Sequence, residues 1–234
     1  WRTDEFGVFD WFGSALYAVG VVSFMLGIAS GYSFQSGFML LLGVLFIYWF
    51  VQHEKSYQYP IFDIHMFIKQ RVFSMSCLAS LLMYTATFST VVLVSLFLQY
   101  LKGISPSQAG LILMIQPTAM AFLSPFVGRL SDRIEPRVLA SIGMLVTACG
   151  LGRLALLDSS SEIPLVVMAL FAIGLGFSLF STPNAHAIMS SSDGNDYGRA
   201  ASAMSVMRVL GQMMSMGMVA LVFTHILGSQ QITI

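Results

Sequence analysis

Long charge-free stretches constrain this chain more than any other feature. No Asp, Glu, Lys or Arg occurs between Asp10 and Glu54, between Arg71 and Lys102, between Lys102 and Arg129, between Glu162 and Asp193, or after Arg208. A helix needs roughly 20 apolar residues to cross a bilayer core, and these stretches supply them. Lipid offers no partner to a free N–H or C=O, so a spanning segment must satisfy its own backbone, as a helix does. A β-barrel would show alternating segments of about ten residues, and the sequence has none. Composition agrees: 56% of the 234 residues are hydrophobic and 9% are charged, with a mean hydropathy of +0.80. A soluble domain is about 25% charged. Soluble enzymes, nucleic-acid binders and disordered chains are thereby excluded. Basic and acidic residues balance at 11 each, so no net charge draws the chain to an acidic partner.

The pattern predicts an all-α polytopic membrane protein with seven spans, at about 12–30, 37–52, 71–99, 106–128, 137–157, 164–186 and 199–226. Ser30, Gly31, Ser33, Ser36 and Gly37 punctuate the first turn. Ser105, Pro106 and Gln108 open the fourth span as N-cap, first helical residue and N3. With the N-terminus inside, the cytoplasmic segments hold Arg2, Lys55, Lys69, Arg71, Arg129, Arg133, Arg137 and Arg199. Only Lys102 and Arg153 fall near the outer face. The bias of Lys and Arg toward the cytoplasm therefore predicts an inside N-terminus and an outside C-terminus. Cys77 and Cys149 lie within spans as small apolar side chains, and no Cys/His cluster has metal-ligand spacing. The chain begins with Trp1 and an acidic run rather than a leader, which reads as a fragment of a longer protein.

Two connections are rich in charge. Segment 53–70 has a turn at Tyr57–Pro60, then Ile61, Phe62, Ile64, Phe67 and Ile68 with Asp63, His65 and Lys69 between them. It reads either as a short amphipathic stretch on the cytoplasmic membrane face or as an ordinary loop. Loop 128–139 packs Arg129, Asp132, Arg133, Glu135 and Arg137 between two apolar helices. Pro136 can start the next helix, with Asp132 and Glu135 near its positive end and the arginines able to pair with them. Gly128 allows close helix approach. The run reads as a latch made and broken as helices rock, or as a solvated charge run obeying the orientation bias.

The residues Gly128-x-Leu130-x-Asp132-Arg133, with Arg137 and Leu139, resemble the cytoplasmic-loop signature of the major facilitator superfamily. The family pattern has Gly where this chain has Glu135 and a basic residue where it has Pro136. Gln99–Gly110, Pro183-Asn184 and Arg208-x-x-Gly211-Gln212 are similar to stretches of the fourteen-helix drug:proton antiporters of the EmrB/QacA-like branch. The resemblance covers essentially the whole chain. It implies that residues 12–52 are two insertion helices and 53–70 a cytoplasmic linker after the N-terminal segment 1–11. Residues 71–234 would then be five helices of the second six-helix bundle, whose last helix is missing. It further implies a missing N-terminal half, a substrate at the midplane between bundles, a multi-pass location in the plasma membrane, and a proton gradient as the energy source, with no cofactor.

Polar groups inside spans are costly and mark function. Arg208 lies well inside the seventh span with Gln212 one turn on, and either faces a cavity and pairs or snorkels. Gln116 precedes Pro117, whose ring frees a carbonyl that Gln can satisfy. Asn184 follows Pro183 near the end of the sixth span, and Tyr84, Thr85 and Thr87 place polar tips in the third. Each is equally an interhelical hydrogen-bond former. Met204, Met207, Met213, Met214, Met216 and Met218 suit a polyspecific surface or simple packing. Ala148-xxx-Gly152, Ala172-xxx-Gly176 and Gly211-xxx-Ser215 predict close helix contacts. No Asp or Glu lies within a predicted span, so a coupling carboxylate is expected in the missing half, with His186 and His225 as weak alternatives. Three functions remain: a proton-driven exporter of amphipathic organic compounds, a same-fold carrier of another small solute, or a membrane scaffold. The expected partners are lipid, a small organic substrate and the rest of the transporter, not nucleic acid.

Overall fold

The computed structural model describes residues 10–29, 34–57, 64–191 and 197–227. Residues 30–33 of the expected turn, the Pro60–Asp63 junction, Arg2 and the C-terminal residues after 227 lie outside the described residues, while Ser36 and Gly37, expected in that turn, stand inside the second helix. The described residues form helices α1 (Trp11–Ala29), α2 (Phe34–Ser56), α3 (Ile64–Lys69), α4 (Arg71–Thr87) and α5 (Thr90–Leu96). A π-helical turn (Phe97–Leu101) follows, and then α6 (Pro106–Leu113), α7 (Ile115–Ser131), α8 (Pro136–Ala155), α9 (Ile163–Ser190) and α10 (Tyr197–Leu227). No strand occurs among them. Seven stretches are long and apolar enough to span: Trp11–Ile28, Phe34–Ser56, Arg71–Leu101, Pro106–Ser131, Pro136–Ala155, Ile163–Ser190 and Tyr197–Thr224.

The differences from expectation have local causes. The second helix runs to Ser56 rather than 52, so Glu54 lies inside a candidate span and is buried, against the expectation that no span holds an acid. Hydropathy drops at the first ionisable residue, but the backbone ladder continues while that residue has buried surroundings. The third span is broken. α4 ends at Thr87, Phe88 and Ser89 form a turn, and α5 begins at Thr90. Thr87 Oγ1 donates to the Met83 carbonyl at 2.8 Å, a back-bond that bends helices. The fourth span breaks at Met114, because the Pro117 ring displaces the Leu113 carbonyl four residues back. Ser105 opens α6 as expected, accepting from the Gln108 N–H with Pro106 at the first position. The sixth helix does not end at Pro183-Asn184 but continues to Ser190 with both residues buried.

The chain divides into two compact units, residues 1–81 with 192–234 and residues 82–191. In the first, α1 and α2 form an antiparallel hairpin packed backbone to backbone. A Cβ on Gly43 would lie 2.6 Å from the Phe24 nitrogen, and one on Gly27 would lie 2.7 Å from the Leu40 nitrogen. Further along this unit, Gly217 of α10 packs against Ile28, and Gly211 and Ser215 are buried as their spacing implied. In the second unit α9 is the central helix. Gly143 of α8 and Gly176 of α9 meet so closely that a Cβ on either would lie 2.6 Å from the other's carbonyl oxygen. Val94, Leu98, Ala109, Val166 and Leu170 join α5, the π turn, α6 and α9 in a buried cluster. The contact expected at Ala148-xxx-Gly152 is not made. That face is exposed, and α8 packs through Gly143, Thr147 and Gly150, one step around the helix. Between α8 and α9, Asp158 accepts hydrogen bonds from Ser160 and Ser161, whose side chains hold its carboxyl down at about 2.

Gly143→Ala and Gly176→Ala should each lower the melting temperature in detergent, by overpacking of about 1–3 kcal/mol. Gly152→Ala, which meets nothing within 4 Å, should leave it unchanged or raise it slightly.

Candidate functional site

The loop between α7 and α8 is short and charged. Leu130 C=O accepts from the Arg133 and Ile134 N–H groups at 3.0 Å, and Ser131 Oγ donates to the Gly128 carbonyl at 2.8 Å. Asp132 closes α7 as its C-cap rather than standing at the start of α8. An anion there faces the negative end of the dipole, which Arg129 and Arg133 offset. Glu135 is the N-cap residue of α8 before Pro136. One ion pair forms among the described residues of this loop, Arg137 Nε to Glu135 Oε1 at 3.7 Å, with both side chains well exposed. Arg129, Asp132 and Arg133 make none, so the expected latch is not closed within this chain. Instead Phe126, Arg129, Leu130, Asp132 and Arg133 line an open cleft of about 420 Å³. Gly128 does not serve close helix approach, since a Cβ there would meet nothing within 4 Å.

The intramembrane candidates separate by unit. In residues 82–191, Tyr84 packs edge-on against Phe177 with ring centroids 5.3 Å apart. One turn back on α9, Gly174 approaches the Gln116 backbone, where a Cβ would lie 2.6 Å from the Gln116 carbonyl oxygen. Tyr84 and Gln116 therefore meet neighbouring turns of α9, and buried Asn184 lies two turns beyond Phe177 on the same face. No hydrogen bond joins the Gln116 amide to the carbonyl freed by Pro117 among the described residues. Thr87 spends its hydroxyl on its own helix. Arg208 and Gln212 belong to the other unit. Arg208 is exposed on α10 and makes no ion pair among the described residues, and Gln212 is half-buried one turn on. Met204, Met207, Met213 and Met216 are half-buried, while Met214 and Met218 are exposed. Among the described residues no group of three His, Cys, Asp or Glu is placed to hold a metal ion.

One cluster was not singled out in the sequence. Asp10 Oδ1 accepts the Gly13 N–H at 2.8 Å, capping α1, and His53 Nε2 lies 3.1 and 3.0 Å from the two Asp10 oxygens. Phe12 and Tyr57 flank the His53 ring at centroid distances of 5.2 and 5.1 Å. The available signal was positional: Asp10 and Glu54, the neighbour of His53, bound the first charge-free stretch, and the two ends of an antiparallel hairpin meet.

The Major Facilitator Superfamily model matches residues 5–216. The chain is 28% identical over 187 residues to the uncharacterized transporter YebQ of Escherichia coli, covering 80% of this chain and 40% of that protein. It is 26% identical over 157 residues to the riboflavin transporter RibZ of Clostridioides difficile, covering 67% and 34%. It is 28% identical over 208 residues to the multidrug resistance protein Stp of Mycobacterium tuberculosis, covering 87% and 38%. The chain thus spans about two fifths or less of the length of these relatives.

Arg137→Gln should change thermal stability by less than about 1 kcal/mol, because exposed ion pairs are worth no more than that. Tyr84→Leu should cost more, about 0.5–1.5 kcal/mol for the lost edge-to-face contact plus packing. Melting curves of the two variants beside wild type check both.

Proposed function

The chain belongs to the major facilitator superfamily, and from that premise we propose that it is the C-terminal part of a proton-coupled exporter of drugs or other amphipathic organic compounds. It is an integral, multi-pass membrane protein of a transporter family, not an enzyme. In the proposed reading, residues 12–52 are insertion helices, 53–70 a cytoplasmic linker, and 71–234 five helices of the second bundle, in a plasma membrane with the N-terminus inside. The observation that carries the reading is the convergence of Tyr84, Phe177 and Gln116 on adjacent turns of α9. An aromatic pair inside an apolar helix layer, with the Gln116 backbone one turn away, suits amphipathic solutes. The likeness to Stp supports a drug-like substrate. In this reading the cleft at Asp132 receives groups from the N-terminal half, which closes the latch left open here, and Arg208 and Gln212 face the substrate path.

The likeness to a riboflavin transporter favours a second reading, a carrier of another small organic solute. Both are tested in inverted vesicles carrying the chain within its full reading frame, under an imposed pH gradient, with a fluorescent cationic dye. Gradient-driven dye uptake that Asp132→Asn slows several-fold supports the exporter and its latch. Uptake unaffected by Asp132→Asn overturns the role given to the loop. No dye movement overturns drug export and leaves the other solute or a scaffold.

A further inference from the structure

The base of the α1–α2 hairpin gathers ionisable groups that the transport reading does not use. Asp10 and Glu54 are each only 3% exposed. A Cβ on Gly13 would collide with Asp10 Oδ2 and lie 3.0 Å from Glu54 Oε1, so both carboxylates reach into one small space that only glycine leaves open. His53 Nε2 touches both Asp10 oxygens, and its side chain is 24% exposed where that of Asp10 is 2% exposed. The imidazole is the member that water can reach. One turn along α1, the Tyr17 hydroxyl is buried with no hydrogen-bond partner among the described residues. Its ring lies 5.4 Å from that of Phe50, one turn before Glu54. Side chains on a helix lean toward its N-terminus, which places this hydroxyl on the side of the carboxylates.

Two carboxylates this close, taken out of water, do not both stay charged without a compensating positive charge or a proton. The elements packed on the cluster carry few other ionisable groups. They are Tyr48 and exposed Lys55 on α2, Tyr57 just past it, His65 and Lys69 on α3 against α2, and Tyr197, Arg199, Arg208 and His225 on α10 against α1. We propose that Asp10, His53 and Glu54 form a proton-binding site at the base of this hairpin, loaded from water through His53. The proton is shared by the three side chains that the geometry brings together. Because Asp10 also accepts the Gly13 N–H, loading the site changes how firmly the first turn of α1 is held to the end of α2. The inference stands on this geometry and not on the transport reading.

The test is infrared difference spectroscopy of the full chain in lipid vesicles, stepped between about pH 8 and pH 5, where histidine exchanges its charge. Acidification should produce the carbonyl stretch of a buried, protonated carboxyl group. That band should be lost when Asp10→Asn and Glu54→Gln are combined, and its midpoint should move to higher pH in His53→Gln, which removes the imidazolium. Asn is as good an N-cap as Asp, so α1 keeps its start in the first variant, and far-ultraviolet circular dichroism checks this. Absence of the band, its survival in the double variant, or an unmoved midpoint in His53→Gln overturns the proposal.

Discussion

Inside a bilayer a backbone amide has no water to turn to, and every other feature of this chain is arranged around that constraint. Prolines inside the spans show its reach. Pro117 takes a donor from the ladder, and the fourth span breaks there into two helices. Pro125 and Pro183 stand within continuous helices, and Pro183 is fully buried. Hydroxyl groups turn inward for the same reason. Thr87, Ser124, Ser141 and Thr224 each donate to a carbonyl one turn back on their own helix, at 2.6–2.8 Å. A hydroxyl committed in this way is silent toward a solute.

Helix association follows from the same medium. Lipid tails are as apolar as leucine, so burial of apolar surface does not drive helices together, and close packing of small residues does. α8 meets α9 through Gly143, Gly150 and Gly176, and α1 meets α2 through Gly20, Gly27 and Gly43. The large apolar side chains face outward. Phe38, Leu41, Val44, Tyr48 and Trp49 on α2 are all more than half exposed. Such a surface would condemn a soluble protein and is the normal exterior of one bathed in lipid.

The number of spans among the described residues, their order and most of their ends were legible because charge and hydropathy report the boundary between lipid and water directly. What was not legible depended on which side of a helix faces a neighbour. A small-xxx-small spacing at Ala148 and Gly152 looked the same as the true seam at Gly143 and Gly150, since both repeat at helical period. Gly128 read as a packing residue, but a Cβ there would meet nothing within 4 Å in this chain. The placement of Tyr84 and Gln116 against α9 was only partly legible, for periodicity puts each on a helix but not against a particular neighbour. Asp10 and Glu54 were hidden by the habit of ending a span at the first charge. Their burial depends on a contact between chain positions more than forty residues apart.

The glycine seam of the α1–α2 hairpin also bears on how the chain is made. Its two helices are neighbours in sequence, and their tightest contacts, Gly27 on Leu40 and Gly43 on Phe24, join residues fewer than twenty positions apart. Contacts so local form quickly and need nothing from later parts of the chain. During synthesis at the ribosome the pair can dock once its second helix has entered lipid, while most of the later helices are still to be translated. The hairpin then stands in the membrane as a finished unit of its own.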